Sequence, residues 1–197
     1  MTKISAASLS IQDKITREIV TALAVKLTEN EQKIIVHKET DNLEAYDAYL
    51  KGSSLTMRMD PENYAAAIPW FEKAIELDPN YSRAYAALAE TYFFGTYMGL
   101  ERILGISYRL ARIRRNNYLQ EAMKNPTDIA HRGVAYNYAY QRQFEKALDH
   151  AMRAFTLNPN DAKSNQTMTL MLTYLGRFDE AIDFAERSPK VDPYCYH

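Results

Sequence analysis

Four histidines are the side chains in this sequence best suited to metal or acid–base chemistry, and they are dispersed: His37, His131, His150 and His197. His131 and His150 are 19 residues apart, so they could approach each other across one helical hairpin. Two imidazoles without a carboxylate or cysteine partner make a poor zinc site. We therefore expect ordinary surface histidines and no metal site.

No sequence motif supplies a catalytic group or a cofactor cradle. The chain has no GxxxxGK[ST] phosphate loop, no GxGxxG dinucleotide fingerprint and no HExxH zinc motif. Its serines and threonines lack the motif-level setting that activates a nucleophile. The sequence therefore predicts no catalytic residue and no cofactor, and it indicates that this chain is not an enzyme.

A run of arginines is the strongest local charge feature. It comprises Arg102, Arg109, Arg112, Arg114 and Arg115. Such a run can bind phosphate or an acidic partner. It can also be the solvated face of a long helix whose buried stripe is Ile106, Leu110 and Ile113. The second interpretation is favoured, because the arginines spread around a helix instead of forming one strip.

The elements that would position these residues follow from the composition. The chain has 197 residues, a formal net charge of -1, 47% hydrophobic residues, only 6 glycines and only 7 prolines. Abundant alanine, leucine, glutamate and lysine favour helix, and the near-neutral charge gives no general attraction to nucleic acid. No apolar run approaches the roughly 20 residues that span a bilayer, so we expect no membrane insertion. The single cysteine, Cys195, excludes an internal disulfide framework.

An internal repeat organises most of the chain. The phrase "FEKALDHA" (144–151) returns as "FDEAIDFA" (178–185), and Pro159 and Pro193 are likewise 34 residues apart. Pro79 and Pro126 also follow helical patterns; proline ends a helix because it lacks an amide hydrogen. Each unit contains two apolar stripes at helical spacing. The first is illustrated by Ala84, Tyr85, Leu88, Ala89 and Tyr92, and the second by Ala67, Phe71, Ala74 and Ile75.

This 34-residue helix–turn–helix unit, with small and aromatic residues before a proline, resembles the tetratricopeptide (TPR) repeat. The small or aromatic second-helix sites match Ala67, Phe71 and Ala74, then Ala147, Ala151 and Ala154, then Ala181, Ala185 and Ser188. The resemblance implies an all-α fold, a right-handed superhelix (α-solenoid) of about four hairpins. We place the units at about 45–81, 82–127, 128–161 and 162–195, within a TPR array over 43–197.

The second unit departs from the period, because Pro79 and Pro126 are 47 residues apart. We expect the extra residues, around "FGTYMGLERILGISYRLARIRR", to lengthen both helices of that hairpin. Before the array, residues 8–42 predict an amphipathic helix and a polar connector, and residues 1–7 are interpreted as a leader outside the fold.

The phrase "IQDKITREIVTALAVKLT", followed by "DNLEAYDAYLKG", resembles the C-terminal TolB-like/TPR region of bacterial class III adenylate/guanylate cyclases and of some winged-helix transcription regulators. The resemblance implies a regulatory fragment of a larger signalling protein whose full-length form is a nucleotide cyclase or regulator. Its location would be the cytoplasm or, if the parent protein is membrane-anchored, the periplasm.

The TPR resemblance also implies where a partner binds, because ligands of the family lie along the concave surface formed by the first helix of each hairpin. The matching positions selected here are Tyr46, Tyr49, Arg83, Phe94, Arg132, Tyr136, Tyr140, Lys163, Gln166 and Tyr174. The aromatic members suit a protein interface, and Arg83, Arg132 and Lys163 could receive peptide carboxylates. The set does not match the two-carboxylate clamp of chaperone-binding TPR proteins.

The sequence thus favours a non-catalytic scaffold that binds a protein or peptide segment. One alternative is the regulatory module of a cyclase or transcription regulator. Another is a self-association module, in which a bare terminal hairpin and the apolar Ile34-Ile35-Val36 join two chains.

Overall fold

A computed structural model describes residues 39–191 of the chain, and its side chains as far as residue 186. Over this range every regular element is a helix, which confirms the expected all-α class. The predicted N-terminal helix, the leader, Ile34–Val36, Pro193 and Cys195 lie outside the described residues. The helices are α1 (Leu43–Thr56), α2 (Pro61–Leu77), α3 (Ser82–Tyr97), α4 (Leu100–Leu104), α5 (Tyr108–Ala122), α6 (Asp128–Tyr140), α7 (Phe144–Leu157), α8 (Ala162–Tyr174) and α9 (Phe178–Val191).

Polar side chains mark where most of these helices begin. A helix leaves its first backbone N–H groups without partners, and a side-chain oxygen at the preceding residue can accept one of them. Asp60 accepts from Asn63, and Pro61 follows as the first residue of α2. The same capping role is played by Asn42, Ser107, Thr127 and Asp161 before α1, α5, α6 and α8.

The helices form hairpins that stack in chain order. Helix α1 packs on α2, α3 on α5, α6 on α7 and α8 on α9. The first hairpin contacts the second through α2 and α3, the second contacts the third through α3 and α6, and the third contacts the fourth through α7 and α8. The first helices also contact one another, from α1 through α3 and α6 to α8. This arrangement confirms the expected stack of hairpins. Tyr46 on α1, Tyr140 on α6 and Tyr174 on α8 remain exposed, whereas α3 is buried or half-buried up to its last residue, Tyr97. We call the surface that the first helices leave exposed the first-helix face.

Small residues allow the close approach of helices within each hairpin. Ala147, Ala151 and Ala154 on α7 are all 0% exposed, as the repeat pattern predicts. Met171 and Leu172 of α8 fill the space beside them. In the first half of the array the larger Phe71, Leu88, Tyr92 and Leu100 take that role. The core is therefore a series of thin layers between neighbouring helices rather than one central mass.

The extra residues of the second hairpin do not lengthen both helices, so that prediction is wrong. Five of them form the separate helix α4, and turns and loop residues flank it. Gly99 and Gly105 bound α4 with backbone φ angles of 88° and 63°, a left-handed conformation that glycine adopts readily. Leu100 is 0% exposed and anchors α4 to the core beside α3. The insertion is thus a turn with its own anchor.

The predicted buried stripe of α5 is also wrong. Leu110 and Ile113 are 38% and 44% exposed, whereas Ala111, Arg115 and Leu119 are buried. The buried residues recur at four-residue spacing, so they also form one helical stripe. These residues face the neighbouring first helices, because Arg115 contacts Phe93 of α3 and Asn137 of α6. One of the five arginines, Arg115, is therefore largely buried.

Candidate functional site

Ion pairs connect the first helices across three hairpins. Arg83 on α3 donates to Asp128 on α6 at 2.8 Å and to Glu39, before α1, at 2.6 Å. Asp128 is only 5% exposed. Its position at the start of α6 places a negative charge where the helix dipole favours one. Arg83 therefore joins the segment before α1 to the third hairpin.

Arg132 extends this network and is almost completely buried, with 2% of the residue exposed. Its guanidinium lies 2.6 Å from Asp161, 3.3 Å from Asp128 and 3.3 Å from Glu90. The ammonium of Lys163 lies 3.7 Å from the other carboxylate oxygen of Glu90. Burial disfavours the charged form of Glu90, but Lys163 and Arg132 outweigh that effect and hold the pKa of Glu90 below its ordinary value.

These contacts change the role expected for the cations. Arg132 and Arg83 were predicted to receive carboxylates from a partner, yet carboxylates of this chain already occupy both guanidinium groups. Arg132 has almost no surface left to offer. Lys163 differs, because 56% of its side chain is exposed. Arg83 and Arg132 therefore hold the hairpins together, and Lys163 is the exposed cation of the network.

An aromatic group lies next to the network at the junction of α3 and α6. Tyr136 stacks on Phe93 at 5.0 Å between ring centroids and meets Phe94 edge-on at 5.5 Å. Its hydroxyl is 3.1 Å from the hydroxyl of Thr167 on α8. Burial raises the pKa of Tyr136. The structure thus brings Phe94 and Tyr136 together, as members of a packed junction between hairpins.

The remaining predicted residues are more exposed. Tyr46, Tyr140 and Tyr174 are 44%, 51% and 49% exposed on α1, α6 and α8, and Gln166 is exposed on α8. Tyr49 is the exception, because it packs against both Phe71 and Tyr81. The predicted set therefore divides into residues that join hairpins and residues that present surface. The second group consists of Tyr46, Tyr140, Lys163, Gln166 and Tyr174.

Sequence reasoning missed several residues beside α4, where the second hairpin turns from α3 into α5. Tyr97 and Tyr108 are 70% and 43% exposed, and the Tyr108 hydroxyl lies 3.2 Å from that of Tyr140. Arg115 is buried beside them, with its guanidinium carbon 5.3 Å from the centre of the Phe93 ring. The four-residue spacing of Ala111, Arg115 and Leu119 was the signal that could have predicted the burial of Arg115.

The predicted approach of His131 and His150 is confirmed. Their Nδ1 atoms lie 3.0 Å apart, so one nitrogen donates a proton and the other accepts it. His131 is only 6% exposed, which corrects its expected surface position. Burial lowers the pKa of both imidazoles. Within residues 39–186, no group of three or more His, Cys, Asp or Glu side chains could hold a metal ion.

A cleft of about 560 Å³ opens where the loops between hairpins meet. Glu39, Arg83 and Asp128 line it together with asparagine and proline side chains of the loops. The charged groups of its wall pair with one another. The cleft is therefore part of the ion-pair network.

Among the helices described here, none has both the length and the apolar character that crossing a membrane requires.

Comparison with known sequences identifies part of the array. Residues 70–124, from the end of α2 through α5, match the sequence model of the tetratricopeptide repeat family. The chain is also 27% identical over 172 residues to a protein of Rhizobium meliloti (strain 1021) named "Putative adenylate cyclase 3". That match covers 87% of this chain and 23% of the relative. The chain thus spans about a quarter of the length of that protein.

Two solved structures show a similar course of the chain. One is YrrB, described as a TPR protein with an unusual peptide-binding site. YrrB is 18% identical to this chain with a TM-score of 0.46, and the match covers 84% of this chain and 76% of YrrB. The other is MamA, with 16% identity and a TM-score of 0.45, covering 86% of this chain and 97% of MamA.

Proposed function

Starting from the tetratricopeptide repeat that residues 70–124 carry, we propose that this chain is a non-catalytic scaffold that binds a protein segment along its first-helix face. A TPR fold is a protein–protein interaction scaffold in its general character. The finer proposal rests on one observation: the exposed large side chains of α1, α6 and α8 include Tyr46, Tyr140 and Tyr174. Tyrosine contributes apolar area and a hydroxyl at low entropic cost, which suits binding.

Rigidity of the surface supports the proposal. The network around Arg132 connects α3, α6 and α8 through buried ion pairs, and Tyr136 bridges Phe93 and Thr167. A preorganised surface loses less conformational entropy when a segment binds. The residues that hold the hairpins in place therefore set the spacing between the exposed tyrosines.

The proposed partner is an extended or helical segment rather than a small molecule. The exposed tyrosines belong to the first helices of the first, third and fourth hairpins, so a chain that runs along several hairpins could contact them in turn. Lys163 and Gln166, also exposed, provide polar contacts beside Tyr174. No nucleic acid partner is proposed, because the formal net charge of the chain is -1.

Affinity capture with matched variants tests this function. The tagged chain, a Tyr140→Ala/Tyr174→Ala variant and a Met152→Ala variant would be compared against an extract of the native organism. Met152 on α7 is similarly exposed, at 45%, but lies on a second helix. We expect the tyrosine variant to lose at least tenfold in captured partner, about 1.4 kcal/mol, and Met152→Ala to behave as wild type. Equal capture by all three would refute the assignment of the face.

A second candidate function is supported by the match to the adenylate cyclase relative. In this proposal the array is the regulatory region of a signalling enzyme, and the bound segment belongs to that enzyme or to its activator. The sequence of the surrounding gene tests the idea directly. A cyclase or DNA-binding domain in the same reading frame supports it, and its absence from the complete reading frame eliminates it.

A further inference from the structure

Arg115 is a buried cation without an acidic partner. It is 7% exposed, yet no aspartate or glutamate among the described residues forms an ion pair with it. Its Nη2 donates to Asn137 at 2.5 Å, and Nε and Nη2 approach Asn116 at 3.4 Å and 3.3 Å. Arg83 and Arg132, by comparison, face two and three carboxylates. The charge of Arg115 is therefore compensated only by amide oxygens and the Phe93 ring.

Such a position is energetically unfavourable for a guanidinium. Removing a cation from water costs several kcal/mol unless an opposite charge compensates it. Burial lowers the pKa of Arg115, and Arg112 on the same helix acts in the same direction. The surroundings thus favour the arrival of a negative charge from outside these residues.

One nitrogen of Arg115 remains available for that charge. Nε and Nη2 make the contacts to Asn116 and Asn137, whereas Nη1 donates to no atom of the described chain. Nη1 is also not among the buried polar atoms that lack a partner, so it keeps contact with solvent. A hydrogen bond from Nη1 to a ligand atom would therefore displace no hydrogen bond of the described residues.

Three tyrosines that are close enough to the Arg115 guanidinium to act on its pKa lie at the surface. Tyr97, Tyr108 and Tyr140 are all exposed, and Tyr97 packs against Phe93 at 5.4 Å between ring centroids. The hydroxyls of Tyr108 and Tyr140 lie 3.2 Å apart. Two hydroxyls that share one hydrogen bond retain one further hydrogen to donate. Together with the two hydrogens of Nη1 this gives three free donor hydrogens. The single positive charge of Arg115 matches the single negative charge of a carboxylate more closely than the charge of about −1.5 to −2 that a phosphate group carries.

We infer that this place binds a carboxylate of a partner protein, supplied by a glutamate or aspartate flanked by apolar side chains. We call it the Arg115 corner, and it consists of Phe93, Tyr97, Tyr108, Arg115, Asn137 and Tyr140. One carboxylate oxygen accepts from Nη1 and the other from a tyrosine hydroxyl, while the flanking side chains contact the exposed rings. The inference rests on the proposed function and adds the chemistry of the segment.

A peptide titration tests the corner without knowledge of the natural partner. The probes are N-acetyl-Phe-Glu-Phe-amide, its Gln analogue and its phosphoserine analogue, followed by NMR of the arginine Nε–Hε signals of the full chain. We expect the Glu peptide to shift the Arg115 signal and to bind at least tenfold more tightly than the Gln peptide. Equal binding of the two would overturn the inference. Tighter binding of the phosphoserine peptide would overturn the assignment to a carboxylate.

Two variants separate binding from folding. Arg115→Met keeps the apolar stem and removes the charge, and Arg112→Met removes an exposed charge from the same helix as a control. We expect Arg115→Met to abolish the preference for Glu without lowering the thermal midpoint, and Arg112→Met to keep most of that preference. A lowered midpoint for Arg115→Met together with an unchanged Glu preference would assign Arg115 a structural role only.

The two proposals can fail separately. If the chain captures a partner on its first-helix face and Arg115→Met captures it equally well, the Arg115 corner is refuted and the scaffold function stands. If the Glu peptide binds as expected but the tyrosine variants of the face do not affect capture, the scaffold function on that face is refuted while the corner remains an acid-binding site.

Discussion

Nη1 of Arg132 on α6 lies 2.6 Å from Oδ2 of Asp161, the residue that caps α8. The same carboxylate oxygen accepts the backbone N–H of Ser164 at 2.7 Å. One aspartate therefore begins a helix and also fixes that helix against the preceding hairpin. Since Arg132 is used inside the chain, the surface of this region that a partner can reach is mainly aromatic.

Replacement of Arg132 by methionine should destabilise the chain strongly. The change leaves Glu90, Asp128 and Asp161 without their shared cation, and breaking a buried ion pair costs about 3–5 kcal/mol. Urea unfolding followed by circular dichroism measures the free energy of unfolding. The control is Lys163→Met, because the Lys163 side chain is 56% exposed and its ammonium lies 3.7 Å from Glu90, so its cost should be clearly smaller. Similar losses for both variants would contradict the structural role of Arg132.

Gly52 on α1 should not tolerate a methyl group. A Cβ at this position would lie 2.7 Å from Cε1 of Phe71, a ring that is 1% exposed and cannot move aside freely. Overpacking of about 1–3 kcal/mol exceeds the gain of up to about 1 kcal/mol in helix propensity, so Gly52→Ala should lower the thermal midpoint. Adding Phe71→Leu to Gly52→Ala should recover part of the loss. Gly133→Ala is the control, because its Cβ would meet the movable end of Leu119.

The repeat predicts a stabilising substitution at Arg142. Arg142 and Gly176 occupy the same place in the turns of the third and fourth hairpins, with φ angles of 58° and 73°. A residue with a Cβ pays roughly 1–2 kcal/mol for the left-handed conformation, so Arg142→Gly should raise the free energy of unfolding by up to about 1 kcal/mol. Gly176→Arg should lower it by a similar amount. A lower stability of Arg142→Gly would indicate that the arginine side chain stabilises the turn.

The histidine pair should make stability dependent on pH. Burial lowers the pKa of His131 and His150 below the ordinary value of 6.5, and Arg153 acts in the same direction while Asp149 opposes it. The unfolded chain therefore takes up protons first as the pH falls below about 6.5, and the free energy of unfolding decreases from that point. The His131→Gln/His150→Gln variant should show a flatter dependence below pH 6.5. An unchanged slope would exclude the pair as its source.

The hairpins could be predicted from the sequence because their determinants are local and repeated. Alanines such as Ala147 and Ala151, and the Asn-Pro pair at Asn158, recur at positions where small residues pack and helices end. The course of α5 could not be predicted in the same way. Leu110 and Ile113 are as apolar as the residues that a core selects, and tertiary contacts with α3 and α6 determine that Ala111 and Arg115 face inward.

The role of Arg132 lay beyond the sequence for a related reason. Its partners Glu90 and Asp161 are 42 and 29 residues away, in different hairpins, and no spacing rule brings them together. The sequence placed Arg132 on the first-helix face, and the structure adds that its charge is satisfied there. Arg115 illustrates the reverse case, because it was counted with solvated arginines and is buried with no carboxylate partner in the part of the chain that the structure describes.

Site-specific photo-crosslinking tests the central claim most directly. A photoreactive phenylalanine analogue would replace Tyr140, Tyr174 or, as the control, Met152, which has a similar exposure on a second helix. The crosslinked partner would be mapped by mass spectrometry in an extract of the native organism. The account predicts that Tyr140 and Tyr174 crosslink to one segment of the same protein and that Met152 does not. Crosslinks of that partner to Met152, with none at Tyr140 or Tyr174, would contradict it.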